Sequence, residues 1–289
     1  MQMDWRALGM GMAFALMWSS AFTSARIIVS AAPPLTTLSL RFLISGLLAI
    51  GIALALGQTW RLTRAQWRAT MLFGIWQNAL YLGLNFVAMQ TVQASLAAII
   101  ASTMPLVVAL GGWIVLREKL RPMAIVGLFA GIAGVAIIMG ARLQAGVDLL
   151  GVLYCGIGVL ALAFATMALR TASSGGNLLM VIGLQMLVGA GALAVIGLPT
   201  ETLSITWSWQ LIAAFAYTTL VPGLAATWVW FLLVERIGAV RAATFHFLNP
   251  VFGVAIAALL LGEALGGRDV LGVAIVTAGI LAVQLARVR

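Results

Sequence analysis

With one cysteine, Cys155, and one histidine, His246, the chain can form neither an internal disulfide nor the paired thiolates or imidazoles of a metal site. Carboxylates are almost as scarce. The seven, Asp4, Glu118, Asp148, Glu201, Glu235, Glu263 and Asp269, all fall near the ends of apolar segments, so general acid and base chemistry has no pair to use. No phosphate loop or serine elbow is present, and Gly127, Gly131 and Gly134 are too loosely placed for a nucleotide-binding turn. These absences argue against an enzyme and leave no cofactor or metal to expect. Only 8% of the residues are charged, and the basic ones form no compact patch, so a nucleic-acid partner is not expected despite the formal net charge of +9.

What the chain has in abundance is apolar sequence. At 63% hydrophobic, 289 residues carry more apolar surface than a soluble protein of this length could bury, whereas a chain facing lipid need not bury it. Runs of about 20 apolar residues, enough to cross ~30 Å of hydrocarbon, are predicted near 7–28, 35–57, 68–90, 94–116, 122–141, 148–170, 177–198, 209–234, 239–262 and 268–287. The fold class predicted is an all-α integral membrane protein with ten transmembrane helices. Pro33, Pro34 and Pro199 mark boundaries between helices, Pro122 stands at a helix start, and Ser173-Ser174-Gly175-Gly176 reads as a loop. The first span is too long for a signal-peptide core, and Pro33 suits no cleavage site; it is kept as the first helix.

Residues 88–140 and 233–285 align without a gap at an offset of 145. Pro105 falls on Pro250, Glu118 on Glu263, Leu120 on Leu265, Gly127 on Gly272 and Gly134 on Gly279. Upstream the match is weaker, with Arg26 over Arg170 at an offset of 144. The chain therefore reads as a tandem duplication, residues 1–145 and 146–289, with five helices in each copy. Five is odd, so the second copy enters the membrane from the opposite side, which is the inverted-repeat arrangement recurrent in secondary transporters. With the N-terminus inside, twelve of the sixteen Lys and Arg residues lie in cytoplasmic loops and only Arg26, Arg142 and Arg268 face outward. Both termini are then cytoplasmic.

Specific motifs add a family resemblance. Arg236 to Ala243, Asn249-Pro250-Val251 and Leu260-Leu261-Gly262-Glu263-Ala264-Leu265 resemble the second repeat of the EamA family in the drug/metabolite transporter superfamily. Ala97-Ala98, Met104-Pro105, Leu116 to Leu120, Trp18 to Phe22 and Arg41-Phe42 resemble its first repeat. The resemblance covers essentially the whole chain. It implies a bundle of two inverted five-helix repeats, a central cavity lined by helices one to four and six to nine, bracing fifth and tenth helices, and export of metabolites, often amino acids. Its aromatic amino-acid exporters, the YddG type, are the branch suggested, on motifs that belong to the family as a whole.

Polar residues inside spans are costly unless they face protein or a water-filled cavity. Trp18, Gln77, Asn78, Tyr81, Gln185, His246 and Asn249 lie near mid-depth and are the substrate-binding candidates, together with Arg41 about 9 Å below the outer surface at 1.5 Å per residue. Asn78, Tyr81 and Asn85 share one helix face; His246 and Asn249 lie one turn apart. Each has a plainer alternative. Asn78, Gln77 and Gln185 could be interhelical glue, Trp18 and Tyr81 ordinary packing, His246 a structural donor, and Arg41 a snorkelling side chain instead of a partner for a substrate carboxylate. Pro105, Pro222 and Pro250 are candidate kinks or hinges, Glu118 and Glu263 gates or caps, and Trp5, Trp60, Trp67, Trp207 and Trp209 interfacial anchors.

The function expected is an inner-membrane exporter of amino acids, aromatic or hydrophobic ones included, and related small metabolites, working by facilitated alternating access. The alternatives are a flippase or hydrophobic-drug exporter of the same superfamily, and a structural or sensory protein without flux. The partners expected are a small-molecule substrate and the lipid bilayer; the sequence leaves the oligomeric state open, and a monomer suffices.

Overall fold

A computed structural model describes residues 4–115, 117, 119–168 and 176–288. All regular structure among these residues is helical. Each predicted apolar run becomes a helix: α1 (Trp5–Val29), α2 (Pro34–Ala55), α3 (64–88), α4 (Ala94–Ile114), α5 (Pro122–Gln144), α6 (Leu149–Ala168), α7 (Leu178–Thr200), α8 (209–237), α9 (239–261) and α10 (Gly267–Val288). Nine of them, among the described residues, are long and apolar enough to cross a membrane. The protein is an all-α membrane protein. The helix outside that set is α3, whose Gln77, Asn78 and Asn85 lower its hydropathy.

Local chemistry sets the ends. Pro34 and Pro122 open α2 and α5, where a missing N–H costs nothing. Thr63 and Gln66 form a reciprocal capping box at the start of α3, and the Ser208 hydroxyl accepts from the Leu211 N–H at the start of α8. Pro199 differs from expectation: it lies inside the last turn of α7, not between helices. Glu118 and the Arg170 and Ser173-Ser174-Gly175 positions fall outside the described residues.

Four helices are interrupted, and the interruptions recur. In α3 the segment Gly74–Tyr81 is wound as a π-helix, and in α8 so is Val221–Ala225. In α4 the helix stops at Ser102 and restarts at Met104, and in α9 a 3-10 turn, Phe245–Leu248, separates Ala239–Thr244 from Asn249–Leu261. Pro105 and Pro250 thus sit in the first turn of a restarted helix, where proline is tolerated, instead of bending a continuous one. Pro250 has no N–H for the carbonyl of His246. That carbonyl accepts from the Asn249 N–H instead, one residue earlier, which tightens the turn.

The chain divides into two compact units that cut across the halves 1–145 and 146–289. The first comprises residues 1–23, 91–152 and 225–289; the second comprises 24–90 and 153–224. Within the first, α5 packs on α10 and α4 on α9; within the second, α2 packs on α7. Helices that correspond in the two sequence halves are therefore packed on each other. The α5–α10 seam requires glycine: a Cβ on Gly134 would stand 2.9 Å from the Gly272 carbonyl oxygen, and one on Gly279 2.6 Å from that of Gly127. In lipid such close approach replaces the hydrophobic effect as the source of helix association.

Candidate functional site

In the first unit the sequence candidates Trp18, His246 and Asn249 are brought together. The 3-10 turn of α9 presents the His246 ring to three aromatic rings, Phe14 at 5.3 Å edge-on, Trp230 at 5.3 Å and Trp18 at 6.5 Å edge-on between centroids. Phe14 also packs on Trp18 and Trp230. The Asn249 amide nitrogen lies 2.9 Å from His246 Nδ1, and with that amide donating, the neutral ring carries its proton on Nε2. The Ser19 hydroxyl donates to the Asn249 carbonyl at 3.3 Å and fixes the asparagine. His246 Nε2 meets no partner among the described residues, so one donor within an aromatic surround remains available.

The second unit holds Arg41, Gln77, Asn78, Tyr81, Gln185 and Pro222. Arg41 is buried, 6% exposed, and does not snorkel. Its Nε donates to the Thr218 carbonyl of α8 at 3.2 Å, its guanidinium lies 5.1 Å from the Phe42 ring centroid, and Ser45, one turn on, donates to the Thr219 carbonyl at 3.3 Å. Pro222 explains the first bond. In a helix the Thr218 carbonyl would accept from residue 222, which as proline has no N–H. No carboxylate among the described residues pairs with Arg41.

Asn78, in the π segment of α3, is buried and donates to the Gln185 backbone carbonyl of α7 at 3.0 Å. That contact joins α3 to α7, and no described residue bonds the Asn78 side-chain oxygen. The Gln185 side chain is buried without a hydrogen-bond partner among the described residues, and Gln77 is half-buried in the same state. Tyr81 is 2% exposed, and Asn85 donates to the Tyr81 carbonyl at 2.8 Å while its own Oδ1 is buried and unpaired.

Sequence reasoning did not name Phe14, Trp230, Ser45, Thr218 or Thr219, and gave Ser19 only as part of a motif. Phe14 is four residues before Trp18, and Thr218 four before Pro222, so helical spacing carried those two signals. Nothing in the sequence marks Trp230. Glu263 is a cap: its carboxylate accepts from the Ala94 and Ser95 N–H groups at the start of α4, at 2.8 and 3.0 Å.

The model of the EamA-like transporter family matches residues 5–140 and again residues 149–285. The chain belongs to this family. The two matched stretches begin 144 residues apart and end 145 apart, in step with the sequence repeat. Two similar curated proteins are transporters by name: the uncharacterized transporter YvbV of Bacillus subtilis (strain 168) is 27% identical across 86% of this chain and 82% of its own. The uncharacterized inner membrane transporter YedA of Escherichia coli (strain K12) is 25% identical across 96% and 90%. A solved crystal structure superposes with a TM-score of 0.67 at 22% identity over 97% of both chains, which shows the fold. This family member is a multi-pass membrane transporter.

Proposed function

We propose that the protein is an inner-membrane exporter of amino acids and related small metabolites, working by facilitated alternating access between two inverted repeats, 1–145 and 146–289, with both termini cytoplasmic. One observation carries the proposal: each half interrupts its third and fourth helices at matching positions, and Gln77, Asn78, Tyr81, His246 and Asn249 lie at or beside those interruptions. The π segments Gly74–Tyr81 and Val221–Ala225 overlap at the sequence offset of 145, as do the breaks at Thr103 and Phe245–Leu248. Gln77, Asn78 and Tyr81 lie in one π segment and Pro222 in the other; His246 belongs to the 3-10 turn and Asn249 follows it. Irregular backbone within membrane helices persists where it lines a cavity or is held by protein, and discontinuous helices in paired repeats mark transporter sites. A zwitterionic amino acid needs a donor for its carboxylate, an acceptor for its ammonium and apolar room for its side chain. Within the second unit Arg41 supplies a donor and Asn78 an acceptor; within the first, His246 supplies a donor and Trp18, Phe14 and Trp230 apolar surface.

The test is uptake of labelled amino acids into liposomes containing the purified protein. Saturable flux of at least one class is expected, with Tyr81→Ala and Asn78→Ala reducing it at normal yields of folded protein. Absence of amino-acid flux, or flux of lipid analogues between leaflets instead, would replace this reading with another transport class or with none.

A further inference from the structure

Arg41 is a guanidinium buried within a membrane-spanning helix with no counter-ion among the described residues, although an uncompensated buried charge is among the costliest groups a protein can hold. Its environment is built to hold it. Pro222 has no N–H to offer the Thr218 carbonyl four residues earlier; Arg41 Nε donates to that carbonyl at 3.2 Å, and Ser45 secures the neighbouring Thr219 carbonyl at 3.3 Å. With Nε engaged, the two terminal nitrogens remain, and they form the parallel pair that fits the two oxygens of a carboxylate. Gly223 lies beside the guanidinium: a Cβ there would stand 3.2 Å from the Thr218 carbonyl oxygen, 3.4 Å from the Ser45 hydroxyl and 3.5 Å from Arg41 Nη2. The same stretch of α8 therefore supplies both the carbonyl that Nε engages and, at Gly223, a residue without a side chain beside the terminal nitrogens.

We propose that Arg41 is the carboxylate receptor of the transport site and that Pro222 is the residue that positions it, so that a free carboxylate is the group this transporter requires of its substrates. The proposal rests on the reading of the chain as an exporter of amino acids and related metabolites, and it deepens that reading by naming the chemical group recognised. Substrate arrival completes the charge pair that the fold leaves open. Pro222 acts through Arg41 and touches no substrate: replacing it restores an N–H at 222 that the Thr218 carbonyl can accept, and Nε is released.

The experiment measures binding and flux for leucine and phenylalanine, for their amides, and for the deaminated acids 4-methylpentanoate and 3-phenylpropionate. Binding is read as thermal stabilisation of the purified protein, and flux in liposomes. Wild type should favour the acids over the amides by roughly a hundredfold, as expected for a charge-assisted pair. Arg41→Gln should abolish that preference, and Arg41→Lys should restore part of it. Pro222→Ala should raise KM for the acids by roughly tenfold, as for loss of one positioning bond, with maximal flux and amide binding unchanged. In the double variant Arg41→Gln, Pro222→Ala the proline change should add nothing. Amides bound as tightly as acids by wild type, or an acid preference that survives Arg41→Gln, overturns the proposal. Amino-acid flux without acid preference leaves the exporter reading standing and removes this one. Acid-selective binding without amino-acid flux does the reverse, and binding of no acid at all overturns the proposal whatever the flux.

Discussion

Glu201 and Glu263 show what the few acids of this chain do. Glu201 accepts from the Leu35 and Thr36 N–H groups at 2.7 and 2.8 Å and from the Thr36 hydroxyl at 2.7 Å, so one carboxylate at the end of α7 caps the start of α2. Glu263 does the same for α4. A carboxylate at a helix N-terminus satisfies unpaired donors and meets the positive end of the dipole. We expect Glu201→Ala to cost about 1–2 kcal/mol, in the range of a lost helix cap, and to lower the melting temperature of the purified protein, with Glu201→Gln intermediate. An unchanged melting temperature in Glu201→Ala would mean that water replaces the cap at no cost. Asn78, with its single bond to the Gln185 carbonyl, contributes less, about 1 kcal/mol as interhelical bonds in membranes go. A larger effect on flux than on stability in Asn78→Ala then points to its free carbonyl oxygen.

At the scale of elements, two ties in the first unit repeat each other with unequal chemistry. Arg236, at the end of α8, donates to Asp4 before α1 at 2.7 Å; Thr91, after α3, donates to Asp148 before α6 at 2.6 Å. On the ten-helix topology they fall on opposite membrane faces, one an ion pair and the other a neutral donor on a carboxylate. The Arg236 guanidinium holds the Asp4 carboxyl below its ordinary 3.8, and the Thr91 hydroxyl does so for Asp148. A carboxyl with a lowered folded pKa contributes stability that is present above its unfolded value and is lost as pH falls through the folded one. Neither tie should therefore titrate between about pH 5 and pH 8. The melting-temperature difference between wild type and Asp4→Asn should stay constant over that range and shrink only below about pH 4; a difference that varied near neutrality would place another titrating group at this end. The α5–α10 seam makes a sharper demand. A side chain at Gly134 meets backbone within 2.9 Å, and backbone cannot move aside as a flexible side chain can. Gly134→Leu should lose folded protein, whereas Gly140→Leu on the same helix, where an added Cβ meets nothing within 4 Å, should not.

For the whole molecule, the placement of ionisable groups bears on energy coupling. Proton-driven carriers use a carboxylate or histidine inside the membrane. Among the described residues, Asp4, Asp148, Glu201, Glu263 and Asp269 sit at helix ends, bonded as caps or ties, and His246 is the only imidazole in the chain. We therefore expect substrate to equilibrate across liposomes without an imposed pH difference or voltage. His246→Ala should weaken binding, through loss of the Nε2 donor and of ring packing on Phe14 and Trp230, more than it alters any response to a proton gradient. Concentrative uptake that needs a proton gradient and vanishes in His246→Ala would instead make the imidazole the coupling group.

Apolar run length, the spacing of Pro105 and Pro250, and the glycines of α5 and α10 determined from sequence alone that the chain spans a membrane many times and that residues 233–285 repeat residues 88–140. Those signals are local or periodic: hydrocarbon thickness fixes helix length, and a duplication preserves intervals. The candidate residues were also visible, because a polar group in an apolar run stands out. Which of them meet was decided by tertiary structure. The same unmarked apolar sequence surrounds Trp18, which reaches His246 beside Trp230, and Arg41, which reaches a carbonyl on α8. The π winding of Gly74–Tyr81, a segment without proline, had no local signal either; Gly74 and Asn78 there pack against the Gln185 turn of α7. Helix-to-helix contact in lipid depends on shape and on single hydrogen bonds between residues more than a hundred positions apart, and neither leaves a period in the sequence.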